Sequence, residues 1–221
     1  LFGRTIFKSI RKFIILQLTI NACAIGLSII GPFIGIDTPV TVIQMLWINM
    51  VMDTLAGLAF AFEPPLLEYM KEFPKKKNEA IMNKYMINQI AVNGVYSCML
   101  CIFFLKCPMI KELFRPDLNQ AYLMTAFFGL FIFVDIFNSL NARTHRLNLF
   151  AHLKENKVFI LIMIFIVVVQ VLLIYHGGSL FRTAGLTLKE FVIMLFFAST
   201  VVPVDWLRKL ILRKKGIIGG V

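Results

Sequence analysis

Six apolar runs, each near twenty residues and parted by short turn-rich breaks, constrain this chain more than any other feature. A helix rising 1.5 Å per residue needs about 20 mostly apolar residues to cross a hydrocarbon core of roughly 30 Å. Runs at roughly 12–33, 41–62, 85–105, 119–140, 157–176 and 187–207 meet that length. The breaks carry Gly31-Pro32 and Asp37-Thr38-Pro39, then Pro64-Pro65, the stretch from Lys106 to Pro116, and His176-Gly177-Gly178, all of them turn chemistry. Backbone N–H and C=O groups find no water inside lipid, so each run reads as a helix that satisfies its own hydrogen bonds. The expected fold is all-α: one polytopic membrane bundle over residues 1–221, with six transmembrane helices.

Composition agrees. Of the 221 residues, 59% are hydrophobic and 16% charged, against about 45–50% and about 25% in an ordinary soluble chain. The net charge of +11 would suit a nucleic-acid binder only if it formed one basic surface. Instead, the Lys and Arg residues sit in clusters between the apolar runs. Basic residues favour cytoplasmic loops. Counting alternate gaps as inside collects Arg4, Lys8, Arg11 and Lys12; Lys71, Lys75, Lys76, Lys77 and Lys84; Arg143, Arg146, Lys154 and Lys157; then Arg208, Lys209, Arg213, Lys214 and Lys215. The other side keeps only Lys106, Lys111, Arg115, Arg182 and Lys189. Both termini are therefore expected on the cytoplasmic side, with the lipid bilayer as partner and no nucleic acid. Lys75-Lys76-Lys77 suits anionic lipid or a cytoplasmic domain. Cys23, Cys98 and Cys101 fall inside predicted helices and read as small apolar residues, not as a disulfide or metal framework. The chain starts at Leu1 with no initiator Met and no signal peptide, so a piece of a longer polypeptide is expected.

Polar groups in the middle of a span are costly and mark bundle interiors or ion paths. Asn49 and Asp53 lie four apart in the second run, on one helix face, with Asp53 near mid-span. A carboxylate there is biased toward protonation unless a cation or a donor compensates it. Carboxylate and amide oxygens together suit a hard cation such as calcium, which takes six to eight oxygens. Asn21, at the centre of the first run, is either a further carbonyl ligand or interhelical hydrogen-bond glue, and glue is the alternative for Asn49 as well. Asp135, in the fourth run, reads equally as an oxygen ligand, a proton-carrying counter-ion or a satisfied polar contact. Gly57, one turn beyond Asp53, allows close helix approach or local unwinding. Asp205, with Arg208 and Lys209 one turn on, reads as an interfacial ion pair. These groups do not fill a calcium shell, so backbone carbonyls, water or residues outside the chain must complete it.

Several stretches then resemble a known family. Gln17-Leu18-Thr19-Ile20-Asn21, the segment Gln44-Met45-Leu46-Trp47-Ile48-Asn49-Met50-Val51-Met52-Asp53, Phe62-Glu63-Pro64-Pro65 and Phe137-Asn138-Ser139-Leu140-Asn141-Ala142-Arg143 are similar to P-type ATPases, and in particular to plasma-membrane calcium pumps. The resemblance covers essentially the whole chain as the last six membrane helices of such a pump. It implies an ATP-driven calcium export pump of the bacterial-type or plasma membrane, with Asn21, Asn49 and Asp53 as metal ligands and Asp135 as a further ligand or proton counter-ion. Two-site calcium pumps carry a carboxylate where this chain has Ala24 and a hydroxyl where it has Met52, so one calcium per cycle is implied; the resemblance separately implies protons as counter-ions. The resemblance also implies that ATP and magnesium act only through cytoplasmic domains, and that these and the N-terminal part of the same parent polypeptide are partners. No Asp-Lys-Thr-Gly-Thr motif or Gly-rich phosphate loop occurs within the chain, so this segment alone is not expected to hydrolyse ATP. With a short tail after Arg208, a long calmodulin-binding extension like that of animal plasma-membrane pumps is not expected. Alternatives are a pump for manganese, sodium or potassium, a self-sufficient six-helix channel or secondary transporter, and a non-functional membrane remnant.

Overall fold

In a computed structural model of the chain, residues 2–35, 40–66, 69–70, 80–115 and 120–216 are described, with the backbone alone for Met52 and Asp53. Secondary structure among them is helical throughout: α1 (Phe2–Phe33), α2 (Val42–Met50), a π-helical turn (Val51–Ala56), α3 (Gly57–Ala61), α4 (Lys84–Lys106), α5 (Pro108–Leu113), α6 (Ala121–Arg143), α7 (Lys157–His176), α8 (Gly178–Phe181), α9 (Leu188–Ser199) and α10 (Val201–Lys214). Six of the helical stretches are long and apolar enough to cross a membrane, α2 to α3 and α9 to α10 each counting as one. The integral, multi-pass reading therefore stands.

The element ends refine the sequence reading. The first helix begins at Phe2, ten residues before the apolar run, because hydropathy stops at the basic residues while helical hydrogen bonding does not. It also runs through the expected break at Gly31-Pro32 and ends at Phe33. The break from Lys106 to Pro116 holds α5, started by Pro108 at the first helical turn, where a missing N–H is harmless. The last span extends to Lys214 but is interrupted at Thr200. Pro203 lacks the N–H that would bond back to Ser199, which places the interruption one turn before it. Thr41 and Thr187 begin α2 and α9 with reciprocal capping boxes to Gln44 and Glu190. Asp37-Thr38-Pro39 and Lys75-Lys76-Lys77 lie outside the described residues.

The helix α6 is the centre of the bundle, and every residue from Thr125 to Ile136 is buried. The other spans show one buried stripe each; in α7 it is Phe159, Ile162, Met163, Ile166, Gln170 and Ile174. Small residues bring α1 and α4 together: a Cβ on Gly94 would stand 3.0 Å from the Ala22 Cβ, and one on Gly26 would stand 2.8 Å from the Cys98 Sγ. Free thiols at Cys23, Cys98 and Cys101 are buried in this same seam.

Two ion-pair systems tie distant helices. Lys12 on α1 donates to both Glu63 oxygens at 2.6 Å, locking α1 to the segment after α3. Nearby, Arg4 donates to the Tyr69 carbonyl at 2.6 Å and Arg11 to the Ala80 carbonyl at 3.0 Å. Asp205 is fully buried in the bundle, and the ion pair read from the sequence is present. It receives Arg208 at 2.7 Å, Lys209 at 2.8 Å and the Asn93 amide of α4 at 3.1 Å. Packing of α10 against α4 and α6 encloses the charges that the sequence places at a water boundary. At the opposite end of the bundle, Arg115 pairs with Glu190 at 2.7 Å and stacks 3.6 Å from the Tyr122 ring centre. Its hydrogen bond to Glu190 holds the guanidinium further toward its charged form.

Candidate ion-binding site

The second span is where the backbone departs from an α-helix. After α2 the chain winds as a π-helix over Val51–Ala56, then resumes α-helical bonding at Gly57. One extra residue in the turn shifts hydrogen bonding from i→i−4 to i→i−5, and such insertions are frequent at functional sites. Asp53 is the third residue of that turn; its side chain lies outside the described set. Gly57 allows the close approach read from the sequence: the Phe13 ring lies 3.3 Å from where a Cβ would sit.

Burial divides the second span into two faces. Gln44, Ile48, Val51, Ala56, Ala59 and Phe60 are buried, while Leu46, Asn49, Met50 and Thr54 are exposed. On α1, Asn21 is half-buried. Among the described residues, neither the Asn21 nor the Asn49 side chain makes a hydrogen bond. An exposed amide on a membrane helix is unfavourable against lipid, so this face calls for another polar surface.

Asp135 sits elsewhere. It is 2% exposed, and its Oδ2 has no partner among the described residues. It lies within electrostatic reach of the Cys23 thiol, which in turn neighbours that of Cys101. Cys23 is two residues beyond Asn21, a rotation of roughly 200° around α1. Asp135 therefore occupies the seam of α1, α4 and α6, not the face that carries Asn21. Among the described residues, no three His, Cys, Asp or Glu side chains gather closely enough to hold a metal ion.

Two polar features escaped the sequence reading. Gln170 is the only polar side chain between Val158 and Ile174, a signal that the mid-span rule could have caught. It accepts a hydrogen bond from the Trp47 indole N–H at 3.3 Å. On α4, Tyr85, Gln89, Asn93 and Ser97 recur every fourth residue and are all buried. They meet α6 and α10 through Gln89 to the Asn141 carbonyl, Asn138 to Ser97, Asn93 to Asp205 and Arg208 to Tyr85.

The family model described as cation transporting ATPase, C-terminus, matches residues 37–211. The chain belongs to the C-terminal domain family of cation-transporting ATPases. This C-terminal ATPase domain is 32% identical over 206 residues to the plasma membrane calcium-transporting ATPase mca-1 of Caenorhabditis elegans, covering 88% of the chain and 16% of that relative. It is 30% identical over 205 residues to calcium-transporting ATPase 2 of Schizosaccharomyces pombe, covering 91% of the chain and 16% of the relative. To plasma membrane calcium-transporting ATPase 4 of Bos taurus it is 32% identical over 208 residues, covering 89% and 17%. The resemblance to plasma-membrane calcium pumps read from the sequence is thus borne out, over a segment that spans about a sixth of these relatives' length.

Proposed function

We propose that this chain supplies the cation site of an ATP-driven calcium export pump, with Asn21, Asn49 and Asp53 as ligands of one calcium ion per cycle. The observation that carries the reading is the exposed face of the second span, which carries the Asn49 amide and Thr54 beside Leu46 and Met50. Asn49 lies on that face at one end of the π-turn, and Asp53 lies within the turn. Two amide oxygens and a carboxylate are hard donors suited to calcium but too few for its shell. The remaining oxygens come from further membrane helices of the same parent polypeptide docking on this face, and from carbonyls that the π-turn displaces from α-helical bonding.

Protons are the counter-ions, and Asp135 carries one. Its burial in the α1, α4 and α6 seam, away from the Asn21 face, supports this role over that of a fourth ligand. The cytoplasmic location of both termini rests on the distribution of basic residues and on an even number of spans. ATP hydrolysis and magnesium binding belong to the cytoplasmic domains of the parent.

The test is calcium-dependent phosphoenzyme formation by the full-length pump. Asp53→Asn is expected to abolish the calcium requirement's effect, leaving phosphorylation no higher with calcium than without; unchanged calcium dependence would sink the site assignment. Competition by manganese, sodium or potassium in the same assay identifies the ion, and activation by one of these without calcium would replace calcium as the cargo.

A further inference from the structure

The π-turn is bracketed by contacts to the span formed by α7. On the α2 side, Trp47 donates its indole N–H to the Gln170 Oε1 at 3.3 Å, and Gln44 donates to the Phe181 carbonyl, just beyond α7, at 2.7 Å. On the α3 side, the Phe60 and Phe159 rings pack with centroids 5.7 Å apart. Only the segment 48–59 lies between these anchors, and it holds both Asn49 and Asp53.

The three anchors differ in kind. A ring contact tolerates rotation and sliding. The Gln44 bond is at the start of α2, where the capping box already orders the chain. The Trp47–Gln170 bond is directional, lies closest to the turn, and joins one span directly to another. Trp47 precedes Asn49 by two residues, so any rotation of α2 that breaks this bond also turns Asn49 on the exposed face.

Gln170 is a poor choice for packing alone. It is 0% exposed inside an otherwise apolar stretch, and its Nε2 has no partner among the described residues. A half-satisfied buried amide is disfavoured where an apolar side chain of similar volume would pack. We infer that Gln170 is a positioning residue for the ion site, fixing the rotation of α2 through Trp47 and so setting the direction in which Asn49 and the π-turn present their oxygens. It touches no ion itself. The inference rests on the calcium-site reading above.

The experiment measures calcium activation of phosphoenzyme formation in the full-length pump. Gln170→Leu removes the acceptor, and Trp47→Phe keeps an aromatic side chain but removes the donor. Each is expected to raise the half-activating calcium concentration about ten-fold while the maximal phosphoenzyme level stays within two-fold of the parent's. The double variant should shift no further than either single one, because both remove the same bond. A purely structural role would instead lower the maximal level with the calcium midpoint unmoved. That outcome, midpoints within two-fold of the parent, or shifts that multiply in the double variant, would overturn the inference. Asp53→Asn run alongside separates the two claims: if it loses calcium dependence while Gln170→Leu does not shift the midpoint, the positioning role fails and the site stands. If Asp53→Asn keeps its calcium dependence, both fall.

Discussion

Breaking the Lys12–Glu63 pair one charge at a time and then whole gives the sharpest stability prediction. Both Glu63 oxygens lie 2.6 Å from the Lys12 Nζ, and each side chain is only 6% exposed. At that distance two unit charges attract by about 6 kcal/mol at an effective dielectric of 20, opposed by the loss of hydration of both. Removing one partner leaves the other buried and uncompensated, which costs about 3–5 kcal/mol. Neighbours separate the two single variants. Arg143 lies within electrostatic reach of both groups, and Lys8 also repels Lys12. Lys12→Met therefore leaves Glu63 with Arg143 as a substitute, and about 3 kcal/mol is expected. Glu63→Leu leaves Lys12 among cations only, and about 5 kcal/mol is expected. The double replacement removes both charges and should be no less stable than the milder single variant. Equilibrium unfolding in mixed micelles, followed by tryptophan fluorescence, gives the three values. If the single costs simply add in the double variant, or if Lys12→Met costs less than about 1 kcal/mol, the buried-pair account is wrong.

Two further stability changes follow from the seams around α4. Asp205→Asn keeps the size of the side chain but leaves Arg208 and Lys209 without their carboxylate in a closed site; a loss of about 3–5 kcal/mol is expected in the same unfolding assay, and a change under about 1 kcal/mol would mean that water reaches those cations. Gly94→Leu forces a side chain against the Ala22 Cβ and the Thr19 carbonyl, 3.0 and 3.4 Å from the added Cβ; overpacking of about 1–3 kcal/mol should lower the thermal midpoint, and an unchanged midpoint would show that α1 and α4 can separate freely.

How much of this was legible in the sequence depends on the kind of signal. Span existence follows from length and hydropathy, and all six runs became helices. The start of α1 did not follow, because Lys8, Arg11 and Lys12 lower hydropathy without breaking the helix. Their burial comes from partners far along the chain, at Tyr69, Ala80 and Glu63. The same gap explains Asp205: the charges were visible, but the packing that encloses them was not. Asn49 and Asp53 stood out as mid-span polar groups, yet neither the π-turn nor the exposed face of Asn49 has a local sequence mark. Asp135 was equally visible, but its neighbours were not, because the rotation of α1 decides whether Asn21 or Cys23 faces α6. Gln170 was legible and passed over; a single amide in an apolar run carries as much information as a carboxylate.

The proposed site holds one calcium ion, with Asp53 as its carboxylate ligand. Equilibrium binding of radioactive calcium to the purified full-length pump tests it most directly. One ion bound per polypeptide is expected, lost in Asp53→Asn and kept in a surface control such as Lys154→Gln. Two ions per polypeptide, or one ion still bound with unchanged affinity in Asp53→Asn, would contradict it.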